Sequence, residues 1–125
     1  MSAKILIVDD DPVVVRLVRG MLEPEGHRVL TAVDGLDALV KIKRENPDLV
    51  LLDVMLPEIN GYDVAYQLRF NPDFEKIPIV LLTIRSQELD PEITKRANIE
   101  YVPKPIDRKL FFEKVNSLLS NKTPS

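Results

Sequence analysis

The chain has 125 residues, 45% hydrophobic and 30% charged, with a formal net charge of -3. That is the size and balance of one folded domain with a real hydrophobic core. The absence of cysteine excludes a disulfide framework, a thiolate nucleophile and a zinc–thiolate site. The mild acidity argues against DNA binding by the domain's own surface, no apolar run is long enough to span a membrane, and the N-terminus does not read as a signal peptide. These features lead us to expect a cytoplasmic protein.

In chain order, five short apolar runs alternate with amphipathic stretches. The runs are Lys4–Val8, Arg28–Ala32, 49–52, 77–82 and 100–102. Ile5-Leu6-Ile7-Val8, Leu49-Val50-Leu51-Leu52 and Ile79-Val80-Leu81-Leu82 are apolar at every position, as expected of strands covered on both faces. Between them, Pro12–Leu22 reads as a helix with Asp11 as N-cap and Val14, Leu17, Val18 and Met21 at helical spacing. Residues 34–45 place Leu36, Leu39, Val40 and Lys43 on successive turns, ended by Asn46-Pro47. Helices are also expected over 61–70, over the polar stretch 91–97, and over 107–119, where Leu110, Phe111, Val115, Leu118 and Leu119 line one face. Residues 1–120 form the domain, and 121–125 a polar tail or the start of a linker.

Such alternation predicts a doubly wound (βα)5 domain, α/β in class, with a parallel sheet and helices on both faces. Ligands of such sheets bind at the carboxyl ends of the strands. There the sequence places Asp9-Asp10-Asp11 after the first strand, Asp53 after the third, Thr83 after the fourth, and Lys104-Pro105 after the fifth. Adjacent first and third strands would bring Asp9, Asp10 and Asp53 together. Clustered carboxylates repel one another, and either a shared proton or a divalent cation relieves them. Oxygen-only ligands point to Mg²⁺ or Mn²⁺. A carboxylate can also attack phosphorus to give an aspartyl phosphate, with Lys104 and the Thr83 hydroxyl placed to stabilise the phosphoryl oxygens.

The segments Ile5 to Pro12, Asp48 to Gly61, Pro78 to Thr83 and Tyr101 to Pro105, in this order and spacing, resemble the response-regulator receiver family of two-component signalling over nearly the whole chain. The resemblance implies a flavodoxin-like fold with strand order 2-1-3-4-5, and phosphorylation of Asp53 by a histidine kinase or histidine phosphotransfer protein. It implies Mg²⁺ held by Asp10, Asp53 and the backbone carbonyl of Met55, with Asp9 acting through water. It further implies phosphoryl contacts from Thr83 and Lys104, a cis Lys104–Pro105 peptide, and a Thr83/Tyr101 switch pair. The switch would act on the surface of the fourth helix, fifth strand and fifth helix, where a downstream protein or output domain docks. The domain would be a signalling module rather than an enzyme, a monomer or weak homodimer with no direct nucleic-acid or membrane contact.

Two positions depart from the family pattern: Ile84 stands where a small residue follows the threonine, and Asn98 where a glycine is common. Met55 and Arg85, each two residues beyond a site residue, occupy places that tune the lifetime of the phosphorylated state, which is expected to last minutes or longer. A phosphohydrolase would need an acid where Met55 stands. A phosphorylation-independent binding module would have little use for the intact acidic residues and Lys104. His27 is expected to be exposed and without a role.

Overall fold

The computed structural model describes residues 2–56, 61–83 and 99–120. The helix expected over 91–97, the tail 121–125, and Pro57, Ile84, Arg85 and Asn98 lie outside the described residues. In chain order the elements are β1 (Lys4–Val8), α1 (Pro12–Leu22), β2 (Arg28–Ala32), α2 (Gly35–Glu45), β3 (Leu49–Asp53), α3 (Gly61–Arg69), β4 (Ile79–Thr83), β5 (Ile99–Pro103) and α4 (Arg108–Ser120). The strands form one parallel sheet in the order β2-β1-β3-β4-β5.

Every residue of β3 and β4 is buried, which is why these runs show no alternation. The reason is helices on both sides. One apolar cluster joins Val18, Met21 and Leu22 of α1 and Phe111, Val115 and Leu118 of α4 to Ile5, Ile7, Leu49, Leu51 and Val80. The other joins Ala38 and Ile42 of α2 and Val64, Ala65 and Leu68 of α3 to Leu6, Val8, Val50, Leu52 and Leu81. Adjacent residues of each strand thus feed opposite cores.

Local chemistry sets the helix ends. The Asp11 side chain accepts from the Val13 N–H at 2.9 Å, with Pro12 in the first turn, and Asp34 accepts from the Asp37 N–H at 2.8 Å. Each cap satisfies a donor that the helix cannot satisfy itself. At the other end of α2, Asn46 takes the left-handed conformation (φ 47°), which Asn tolerates better than most residues.

The structure corrects several expectations. The inner face of α2 is Gly35, Ala38 and Ile42, while Leu36 and Val40 are 53% and 58% exposed. Two polar contacts set this rotation: Asp37 Oδ2 accepts from the Val33 N–H at 3.3 Å, and Lys41 Nζ donates to the Thr31 carbonyl. With Asp37 and Lys41 turned to the edge of β2, Gly35, Ala38 and Ile42 face the core and Leu36 and Val40 face out. On α1, Leu17 is likewise exposed and Leu22 takes its place in the core. β4 begins at Ile79, after Pro78, whose ring nitrogen has no hydrogen to give a ladder. His27 is half-buried, and its Nδ1 accepts from the Ala3 N–H at 3.1 Å, tying the start of β1 to the turn before β2.

Candidate functional site

The acidic residues come together because β1 and β3 are neighbours in register, Val8 beside Leu52. Each chain segment then continues past its strand by one more backbone hydrogen bond to the next strand. Asp9 N–H donates to Ala32 at 3.2 Å, Val54 N–H to Leu82 at 3.0 Å, and Lys104 N–H to Thr83 at 2.7 Å. These bonds fix the backbone beneath Asp9, Asp53 and Lys104 at the rim of the sheet.

One carboxylate oxygen each from Asp9, Asp10 and Asp53 lies within 4.8 Å of the others. Asp9 and Asp53 are buried, at 1% and 5% exposure, while Asp10 is open to solvent. Asp9 Oδ1 accepts from the Asp11 N–H at 2.9 Å, so the residue that caps α1 also orients a site carboxylate. Asp53 Oδ1 accepts from the Met55 N–H at 3.1 Å. Lys104 Nζ donates to Asp9 Oδ2 at 2.9 Å and lies 3.4 Å from Asp53 Oδ1.

Electrostatics follow from this packing. Burial pushes the Asp53 carboxyl above the ordinary aspartate range and the charge of Asp9 adds to the rise; the Met55 N–H and Lys104 oppose it without cancelling it. Burial disfavours the Lys104 ammonium, but its bond to Asp9 and the charges of Asp53 and Asp9 outweigh that and hold it above the usual lysine value. A cluster with one carboxyl raised by burial and like charge, offering only oxygen donors, suits a hard divalent cation.

Thr83 is buried at the end of β4. Tyr101 pairs in register with Leu81 and packs partly buried against the α2/α3-side core. Leu81 and Thr83 share a face of β4 by the alternation of a strand. The Met55 side chain is exposed, and the Lys104–Pro105 peptide is cis.

One contact was not visible in the sequence. A Cβ on Gly61 would lie 2.3 Å from the Asp53 carbonyl oxygen, and the Gly61 N–H donates to the Val54 carbonyl at 3.0 Å. The start of α3 thus presses on the backbone that carries Asp53. A glycine at a helix start signals a turn, not a specific close approach.

A family model described as the response regulator receiver domain matches residues 5–116. Protein PilH of Pseudomonas aeruginosa is 36% identical over 119 residues, covering 94% of this chain and 98% of that protein. Response regulator PleD of Caulobacter vibrioides is 40% identical over 119 residues, covering 94% of this chain but 26% of that longer protein. Among solved structures, the receiver domain of sensor histidine kinase PA1611 from Pseudomonas aeruginosa, with a magnesium ion coordinated in its active-site cleft, is similar at 28% identity and a TM-score of 0.82, covering 96% of this chain and 99% of that one.

Proposed function

The chain belongs to the response regulator receiver family, and on that premise we propose that Asp53 accepts a phosphoryl group from a histidine kinase or histidine phosphotransfer protein. Receiver domains serve phosphorylation-dependent signalling in two-component systems. The observation that carries the reading is the buried Asp53 carboxylate with Lys104 Nζ at 3.4 Å and Asp9 and Asp10 beside it.

Asp53 Oδ1 is occupied by the Met55 N–H and Lys104, which leaves Oδ2 to attack phosphorus. The oxygen–phosphorus bond forms as the donor's nitrogen–phosphorus bond breaks, and the imidazole departs with its electron pair. Lys104 is near enough to follow the charge from the carboxylate to a phosphoryl oxygen. Asp10, Asp53 and the Met55 carbonyl, with Asp9 through water, would hold Mg²⁺ (or Mn²⁺ in its place), which would supply further neutralisation of the phosphoryl oxygens. Val13 and Leu17, exposed on α1, offer an apolar landing for the donor protein.

In this reading Thr83 turns toward the phosphoryl group, and Tyr101 follows into the space released. The surface of β5, α4 and the helix expected over 91–97 then changes for a downstream protein or output domain. Support comes from the placement of Thr83 and Tyr101 on paired strands and from the ring's partial burial.

The test is incubation with acetyl phosphate and Mg²⁺, read by intact mass, with beryllofluoride and Mg²⁺ read by NMR. The native protein should gain one phosphoryl group, Asp53→Asn should gain none, and beryllofluoride should shift the Thr83 and Tyr101 signals. A native protein that gains no mass and shows no shift overturns the proposal.

A further inference from the structure

Four of the eight large apolar side chains that stand exposed among the described residues belong to one layer of the domain. Leu36 and Val40 are on α2. Tyr66 is on α3, and Phe70 sits just past its end, where the Phe70 N–H still bonds the Tyr66 carbonyl at 3.1 Å. The two helices are neighbours over the same core. Leu36, Val40 and Lys43 follow at intervals of four and three, so they form one stripe of α2. Tyr66 and Phe70 are four apart, and their rings meet edge to face at 4.6 Å. The core does not require these residues, because Ala38, Ile42, Val64, Ala65 and Leu68 already fill the inner faces of both helices.

Between the two helices opens a pocket of about 110 Å³. Leu39, Ile42, Leu68 and Phe74 line it with apolar surface, and Lys43, Gln67 and Asn71 give it polar edges. Small-molecule sites begin at roughly 300 Å³, so this one admits a single side chain. Its wall is braced: Arg69 donates to the Glu75 and Ile77 carbonyls at 2.9 and 2.6 Å, and the Phe74 N–H donates to the Asn71 carbonyl at 2.9 Å. Lys43 is the one charged residue of the lining. It is exposed and makes no ion pair or hydrogen bond among the described residues. Its helix neighbours are engaged, Lys41 with Asp37 and Arg44 with Glu45. Asn71 Oδ1 accepts from the Asp73 N–H at 2.9 Å, so the Asn71 side chain has its amide donors left to offer.

We propose that the α2/α3 face docks an amphipathic helix of a partner protein, which seats one aliphatic side chain in the pocket and sets a carboxylate against Lys43 and Asn71. The backbone along a helix is bonded within the helix, so this face offers side chains and gives an added strand nothing to pair with. Apolar residues at intervals of three and four, on either side of a hole for one side chain, match the apolar face of a helix. The ammonium and the amide donors specify an acid. A second copy of this chain would bring the same lining, which holds no carboxylate for Lys43. The face is separate from α1 and from the surface of β5 and α4, so a partner held here leaves both of those open.

The test is a titration of the whole protein with a synthetic helical peptide that carries leucine on one face and glutamate along its flanks, followed by NMR. Signals of Leu39, Lys43, Gln67 and the Tyr66 ring should shift, and those of Val13 and Lys114 should not. Phe70→Ser should weaken binding by about tenfold or more. Lys43→Glu should weaken it by about threefold or more and transfer the preference to a leucine–lysine peptide. If Phe70→Ser fails to fold, Tyr66→Ser carries the same comparison. Unmoved signals on this face under millimolar peptide overturn the proposal. So does equal binding of the leucine–lysine peptide to the native protein, or a concentration-dependent shift of the same signals without peptide.

Discussion

Lys104 is held by Asp9: its ammonium donates to Asp9 Oδ2 at 2.9 Å, closer than the 3.4 Å to Asp53. The Asp9 side chain is fully buried and that of Lys104 is 16% exposed, so each charge depends on the other for its solvation. Lys104→Met leaves Asp9 and Asp53 facing each other without a counter-charge. The expected cost is about 2 kcal/mol, read from the urea midpoint at neutral pH in chelator. The folded lysine titrates above its usual value. Its contribution is therefore complete below the unfolded lysine pKa and is lost as pH rises through the folded one. The native protein should weaken in that alkaline window and the variant should not; equal midpoints for the two at neutral pH would sink this account.

Asp53 runs the other way. Its folded pKa is raised from 3.8, chiefly by burial and further by Asp9. Its favourable contribution exists below that ordinary value and disappears as pH rises through the folded one. At neutral pH without metal, the ionised carboxylate works against the fold. Asp53→Asn should therefore raise the melting temperature in chelator. Millimolar Mg²⁺ should raise that of the native protein by mass action, and that of the variant less. A variant that melts lower than native in chelator contradicts the reading.

At Gly61 the argument is steric. The 2.3 Å approach of a Cβ to the Asp53 carbonyl oxygen is to backbone, which cannot swing aside as a side chain does. Gly61→Ala should cost about 3 kcal/mol and also weaken Mg²⁺ binding, because the displaced peptide carries Asp53 and Val54. Calorimetric Mg²⁺ titration of the folded fraction separates the two effects, and unaltered affinity together with unaltered stability would show that the contact relaxes freely.

His27 should report on mild acid. Burial, with the N-terminal charge added, lowers its pKa below 6.5 against an opposing pull from Glu25, and the neutral ring accepts the Ala3 N–H. Stability from this contact is present above 6.5 and lost as pH falls through the folded value. Urea midpoints at pH 7.5 and pH 5 should fall further in the native protein than in His27→Gln. Parallel declines would remove His27 from the explanation.

The Met55 side chain is exposed, at 68%, and carries no group able to orient a water toward an aspartyl phosphate. The phosphorylated state is expected to decay over minutes or longer, and Met55→Asn to decay faster. Decay of the native phosphoprotein within seconds in Mg²⁺ rejects this.

Much of the fold was legible because burial leaves a mark on composition. Continuous apolar runs at β1, β3 and β4 announced strands covered on both sides, and Asp11-Pro12 announced the start of α1. The rotation of α2 was not legible. Leu36 and Val40 are as apolar as Leu39, and what turns them outward is a pair of bonds from Asp37 and Lys41 to the edge of β2, a tertiary fact. At the site, the positions of Asp9, Asp10, Asp53, Thr83 and Lys104 at strand ends could be read from the alternation of elements. Strand order came only with the family resemblance, since periodicity does not say which strands are neighbours. The half-buried state of His27 was hidden for a similar reason, because its partner Ala3 belongs to another strand's approach.

The bond from Lys104 to Asp9 spans 95 positions of sequence, and this has a consequence for the protein's birth. A ribosome delivers the three aspartates before the lysine that balances them. Until β5 is laid beside β4, the aspartates have no Lys104 to offset their repulsion. Contacts of such long sequence separation also form slowly, since the loop between them must close first. The growing chain therefore carries Asp9, Asp10 and Asp53 before the lysine that offsets them, and the balanced cluster forms only when β5 lies beside β4.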